Sequence, residues 1–205
     1  MPALLSIALA AAVVPATAVE ANQWFTSKEN PDTALKVAQR GAITYTIDVA
    51  PDGSAIRCGT QGTGGLDRKV CELVMRHARF LPAKDADGKP AFATYEGVAS
   101  FLLPGRNSRP DRSKLVIPVD TLPDGVTSPA FARVAFLVDA AGAISHCAST
   151  AGERRRFQQT VEALGPVACH NLAKSYRPVP ARDAAGNAVA SVQSALVRFE
   201  TPKAP

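Results

Sequence analysis

The sequence predicts an α+β protein built of two tandem β-β-α-β modules, each a small antiparallel sheet with one helix packed on it. Three observations predict this. The chain repeats itself, four cysteines take equivalent places in the two copies, and each copy passes from period-two to helical patterning in the same order. Residues 49–58 align with residues 138–147 at an offset of 89, which brings Val49 onto Val138, Gly53 onto Gly142 and Cys58 onto Cys147. Cys71 and Cys169, Arg79 and Arg177, residues 82–88 and 180–186, and Phe101 and Phe199 then share an offset of 98. The second copy therefore carries nine extra residues between its cysteines, around residues 152–160. Two ordered series of matches of this kind are hard to produce by chance.

Composition agrees. Of 205 residues 46% are apolar, but alanine inflates that share and aromatics are only 6%. Two small cores that need staples fit better than one large core, because small domains bury too little surface to be comfortable.

The N-terminus reads as an export signal. Residues 3–14 form an apolar run too short to span a bilayer comfortably, Pro15 ends it, and Ala16-Thr17-Ala18 has the small-x-small form of a cleavage site, with alternatives up to Ala21. Residues 1–21 are thus expected to be a signal peptide and the mature chain to be periplasmic. The alternative is an uncleaved segment that anchors the chain in the inner membrane.

The first module is expected over residues 22–103. A short helical stretch at 32–39 leads in, and Ile43, Tyr45, Ile47 and Val49 then alternate as a half-buried strand does. Pro51-Asp52-Gly53 signals a turn, and residues 54–58 return as the second arm of a hairpin. Leu66, Val70, Leu73, Val74 and His77 recur on one helical face, with Asp67 in the first turn where a negative charge suits the dipole. Pro82 stops the helix, Asp87-Gly88 turns the chain, and residues 91–103 form the final strand. Residues 104–130 read as linker and lead-in, the stretch to Lys114 being rich in Pro, Arg, Asn and Ser. The second module, 131–205, has a strand at 133–138, a turn at Gly142, a strand to Cys147, a helix with Pro166 at its first position, and a last strand at 188–199.

An even number of cysteines in an exported chain implies disulfides. The repeat selects pairing within each copy, Cys58 with Cys71 and Cys147 with Cys169. Each bridge is worth about 3 kcal/mol in the chain-entropy picture. His146-Cys147 and Cys169-His170 also make a zinc-like ligand set. However, adjacent strand residues point to opposite faces, and the first copy has Arg57 and Glu72 at the histidine positions. No metal and no cofactor are expected.

The charge of +5 is spread along the chain apart from Arg154, Arg155 and Arg156, without the basic stripe and interleaved aromatics of a nucleic-acid binder. Three scattered histidines and no Gly-x-Ser-x-Gly offer no nucleophile with a base and orienter, so the chain is not expected to be an enzyme.

Residues 41–103 resemble a TonB C-terminal domain of the variety with a cysteine pair. Leu66-Asp67 resembles the pair that opens the family's helix, and Arg79-Phe80-Leu81-Pro82-Ala83 with Gly88 resembles its most specific signature. In the second copy Pro178 and Gly165 replace the signature's aromatic and the helix-opening aspartate. The resemblance implies a binding module whose last strand accepts an extended peptide from an envelope or outer-membrane protein by strand addition. The implied edges are Phe92, Thr94 and Phe101 in the first copy and Val189, Val197 and Phe199 in the second. Alternatively the two modules pair with each other through these edges and leave no peptide site. A membrane-anchored TonB-type energy transducer for outer-membrane transport is the alternative function if residues 1–21 are retained.

Overall fold

The alternation that begins at Ile43 does produce a strand, β2 (Gly41–Val49), with Ile43, Tyr45, Ile47 and Val49 all buried on one face. The computed structural model describes residues 12–25, 41–61, 67–101, 111–150 and 158–202. Before β2 lies a two-residue strand, β1 (Thr17–Ala18). After it come β3 (Ala55–Gln61) and α1 (Asp67–His77). Three short strands follow, β4 (Phe80–Leu81), β5 (Ala83–Lys84) and β6 (Pro90–Ala91), and then the long β7 (Ala93–Phe101). The second half contains β8 (Ser113–Pro118), β9 (Ala130–Val138), β10 (Ile144–Ser149) and α2 (Gln158–Ser175). It ends with β11 (Ala181–Arg182), β12 (Ala188–Val189) and β13 (Ser191–Glu200).

Local chemistry explains the turns and ends. Gly53 and Gly142 hold φ of +85° and +90°, conformations that L side chains resist. A Cβ on Gly53 would also lie 2.3 Å from the Phe80 carbonyl oxygen. Asp85 Oδ1 accepts from the Asp87 and Lys89 N–H groups, and Asp183 Oδ1 accepts from the Asn187 N–H, so the β5–β6 and β11–β12 ribbons turn in the same way. In α1 Asp67 occupies the first turn and Arg76 and His77 the last, as the helix dipole favours.

The fold is α+β, but the expected pair of small sheets is not what forms. β10, β9, β13, β7, β2 and β3 lie side by side in one seven-stranded sheet, with β8 added on β13. The halves join where the final strands run parallel, at Val192 opposite Ala93. Within each half the other neighbours are antiparallel, except that β8 runs parallel to β13. The reason is that a three-stranded sheet leaves the edge of its last strand open, and unpaired backbone groups seek partners.

Strand alternation shows how the helices are placed. Val134, Phe136 and Val138 pack with Leu164, Ala168 and Leu172 of α2 in one core. Their neighbours Ala135 and Leu137, with Val192, pack instead into the other core beside Val70 and Val74 of α1. Successive strand residues face opposite sides, so α1 and α2 lie on opposite faces of the shared sheet. Asp48 adds a polar tie between the halves: its carboxylate accepts from Arg57 Nε at 3.0 Å and from the Arg182 backbone N–H at 3.2 Å.

Both disulfides are present, Cys58–Cys71 and Cys147–Cys169, with Cα separations of 5.5 and 5.6 Å. Each staples the outer strand of a hairpin to the helix above it. Their sulfurs are therefore not thiolate ligands for a metal.

Several local expectations are corrected. Pro166 does not open the second helix but lies inside it. Its ring removes one backbone donor there. At the same point Gly165 lets the helix approach β10, where a Cβ would meet Ser149 Oγ at 1.6 Å. The expected final strand of the first copy is divided into β6 and β7. The stretch read as linker and lead-in contains β8. Part of the expected signal peptide is built into the fold: Val13 is buried in the first core, Val14 bridges to Lys84, and β1 pairs with β4. The helical stretch at 32–39, the Arg154–Arg156 run and residues 1–11 lie outside the described residues. No helix among the described residues is long and apolar enough to cross a membrane.

Candidate functional site: the seam between the halves

The seam follows from which strand edges are satisfied. On one side β7 pairs with β2 along its whole length, Gly41 opposite Phe101 to Val49 opposite Ala93. On its other side it meets β13 at a single position, where the Val192 N–H donates to the Phe92 carbonyl at 2.8 Å. From Leu196 onward that edge of β13 belongs to β8, while β9 takes the opposite edge from Ser191 to Phe199. Beyond Ala93, β7 thus has no strand partner on the seam side among the described residues.

The sites implied by the family resemblance separate accordingly. Val197 and Phe199 are fully buried in a strand bonded on both sides, and Val189 belongs to the β11–β12 ribbon. In the second copy's last strand the backbone around Val197 and Phe199 is thus already paired on both edges. In the first copy the Phe92 carbonyl is consumed by Val192. Thr94 is half-buried, with a hydroxyl that finds no partner. Phe101 ends β7, opposite Gly41. The backbone groups of a strand alternate in direction, so those of Glu96, Val98 and Ser100 point the same way as those of Phe92, toward the seam.

A cavity of about 390 Å³ lies at this seam. Tyr95 and Glu96 of β7, Arg112 and Lys114 at the start of β8, Arg133 of β9 and Ser194 of β13 line it. The N-terminal arm, including Pro15, Ala16 and Ala18, also lines it. Lys114 and Glu96 form an ion pair across the gap between β7 and β8. Neither Arg112 nor Arg133 has an ion-pair partner among the described residues. Desolvation, and then the neighbouring Arg112 charge, lower the Arg133 pKa from its ordinary value. Burial raises the Tyr95 pKa, so its phenol remains a donor at neutral pH.

The start of β8 is held by a separate polar cluster. Asp111 accepts from the Ser113 N–H at 2.8 Å and from Arg198 Nη1 at 2.7 Å, and Arg198 also contacts Glu200. Hydrogen bonds from Ser113, and then the Arg198 guanidinium, hold the Asp111 carboxyl down at about 2. These bonds fix the residue next to Arg112 in the chain.

The seam was not singled out by residue-type reasoning. Ser113–Pro118 adjoins a segment whose Pro, Arg and Asn content masks the short apolar run Leu115-Val116-Ile117. That run, with its β-branched Val116 and Ile117, is the signal that could have revealed β8. Of the other histidine candidates, His146 is exposed at φ +50°, His170 is exposed, and His77 is partly buried at the end of α1. No group of three metal-ligating residues occurs among the described residues. In comparisons with known proteins, no family model, curated protein or solved structure matches this chain.

Proposed function

We propose that this protein is a periplasmic binding module that takes an extended segment of an envelope protein as an added strand at the outer edge of β7. One observation carries the reading: the seam-side backbone of Glu96, Val98 and Ser100 has no strand partner among the described residues, while the equivalent strand β13 is paired on both sides. Lys114 at the start of β8 reaches Glu96 of β7 across the same seam. β10 is a poorer acceptor, because its ladder is broken between Ser145 and Ala148 and His146 sits in a left-handed conformation. Backbone bonds would supply affinity and alternate side chains selectivity. The TonB C-terminal resemblance at Arg79–Gly88 supports the same mode of binding.

The two disulfides are consistent with an oxidising compartment such as the periplasm. Export itself is supported by the apolar run at 3–14. The anchored-transducer alternative requires that residues 1–21 be retained, of which 1–11 lie outside the described residues. The proposed activity is binding, with no catalytic step.

Val98→Pro is the direct test. Proline removes an N–H that points away from β2, a position where edge strands tolerate it. The variant should keep both disulfides and its thermal transition, yet lose peptide binding and peptide-induced amide protection over β7. A Val98→Pro protein that binds extended peptides as the parent does would exclude this edge.

A further inference from the structure

We infer that the seam contains a carboxylate site: Arg112 and Arg133, lining the cavity with no ion-pair partner among the described residues, hold an acidic group of the segment that lies on β7. This deepens the strand-addition reading and rests on it for what delivers the carboxylate. Three cations and one carboxylate line the cavity; that carboxylate, Glu96, is ion-paired with Lys114 and also attracts Arg133, so the cavity keeps an excess of two positive charges. Two guanidinium groups close enough to repel each other are costly when part of their water is removed. Folding nevertheless places both here, and the Asp111 cluster fixes the backbone that presents Arg112. A carboxylate between them would relieve the repulsion. It would also use the fork geometry that makes arginine a bidentate carboxylate ligand. Ser194 lines the same space, and Tyr95 adds a protonated phenol. The wall contributed by Leu196 is apolar, which strengthens a charge–charge contact relative to open solvent.

The position explains selectivity as well as affinity. The cavity adjoins Glu96, the first open backbone position of β7 beyond the Val192 contact. An added strand that pairs there brings one of its side chains, or its own C-terminus, to the arginines. A strand without an acidic group would leave both cations unpaired, so the site discriminates among extended segments that the backbone alone would accept.

The test uses the full chain and three peptides of alternating threonine and valine. The first has a central glutamate and an amidated end, the second a central glutamine and an amidated end, and the third a central glutamine and a free terminal carboxylate. Fluorescence of Trp24, the chain's one tryptophan, whose ring lies 6.1 Å from that of Tyr95, reports binding. The glutamate peptide should bind at least tenfold tighter than the amidated glutamine peptide. The free-acid peptide shows whether a terminal carboxylate serves equally. In the Arg112→Gln/Arg133→Gln variant all three should bind alike, at the level of the neutral peptide, with a Tm no lower than that of the parent because a like-charge contact is gone. A structural role for the arginines predicts a lower Tm instead. Equal binding of the three peptides by the parent protein would overturn the carboxylate site and leave strand addition standing. Should the double variant fail to fold, Arg112→Lys/Arg133→Lys keeps the charge but not the fork, and an undiminished preference in it would count against the inference. If the parent binds no peptide, succinate decides: saturating shifts of the arginine Nε–H signals support the anion site with strand addition lost, and unchanged signals refute both.

Discussion

In the second half the lead-in strand β8 lies along β13, taking the edge that β7 vacates beyond Val192. In the first half the described part of the lead-in, residues 12–25, does something else. It crosses the α1 face, where β1 pairs with β4, Val14 bridges to Lys84, and Trp24 packs edge-on against Phe80 and Tyr95 at 5.4 and 6.1 Å. The cores differ to match: the first is rich in aromatics, while among the described residues the second has one aromatic contact, Phe136 with Tyr176. The back faces differ too. At the repeat offset of 89 the buried Asp48 of the first copy corresponds to Leu137 of the second, an ionic tie on one side and an apolar contact on the other. A duplicated unit need not duplicate its use. The described part of the segment preceding each copy differs in use: β8 lies along the last strand of the second copy, while among the described residues no strand lies along the seam side of β7 beyond Ala93.

The largest expected effect comes from the staples. Replacing Cys58 and Cys71 with serine should cost about 3 kcal/mol in the chain-entropy picture, and replacing Cys147 and Cys169 about 3.4, because the second loop is longer, with a separation of 22 against 13. Denaturant unfolding measures both. Since one sheet runs through both halves, each variant should still unfold in a single transition. Two transitions in either variant would mean that the halves are independent and that the β7–β13 contact is incidental.

A chain beginning at Val19, as cleavage after Ala18 would leave, sharpens the comparison of lead-ins. It lacks β1, the buried Val13 and most of the arm that lines the seam cavity. Burial of one valine and its neighbours suggests a loss of about 2 kcal/mol. That loss should appear as faster hydrogen exchange in the first half, with β8 and β13 unaffected. Intact mass of the native protein shows which chain exists in the periplasm. Equal stability of the two chains would show that the arm contributes nothing to the first core.

Much of this architecture was legible because its signals are local. Ile43 to Val49 alternates, Gly53 and Gly142 demand a turn, and the four cysteines repeat, so strands, hairpins and bridges follow from neighbours in the chain. What was not legible depends on contacts between residues far apart. Nothing in Val192 or Ala93 announces that they will face each other, and without that contact the shared sheet cannot be foreseen. The candidate site suffered for the same reason. Arg112, Lys114 and Arg133 are ordinary surface cations until β8 settles on β13 and brings them to one cavity. Pro166 misled because its preference for a first helical turn is a local rule, and the helix runs through it.

The smallest effect separates the two lead-ins by acid. Asp111, with its carboxyl held at about 2 by Ser113 and then Arg198, ties the start of β8 to β13. An unfolded aspartate titrates near 3.9. Because the folded value is depressed, the stability it contributes is present above about 4 and is lost as the pH falls through about 2. The group is largely exposed, so solvent screening keeps the contribution modest. β8 amides should therefore lose hydrogen-exchange protection between pH 4 and 2, once intrinsic exchange rates are corrected for. β1 pairs through Thr17 and Ala18 with Leu81 and Phe80, without a carboxylate in the ladder, and should hold its protection over the same range. Asp111→Asn cannot titrate, so it should make the protection of β8 independent of pH at the lower level that acid produces in the parent. If β1 and β8 let go together, or if the asparagine variant still responds to acid, then Asp111 does not secure the strand that closes the second half.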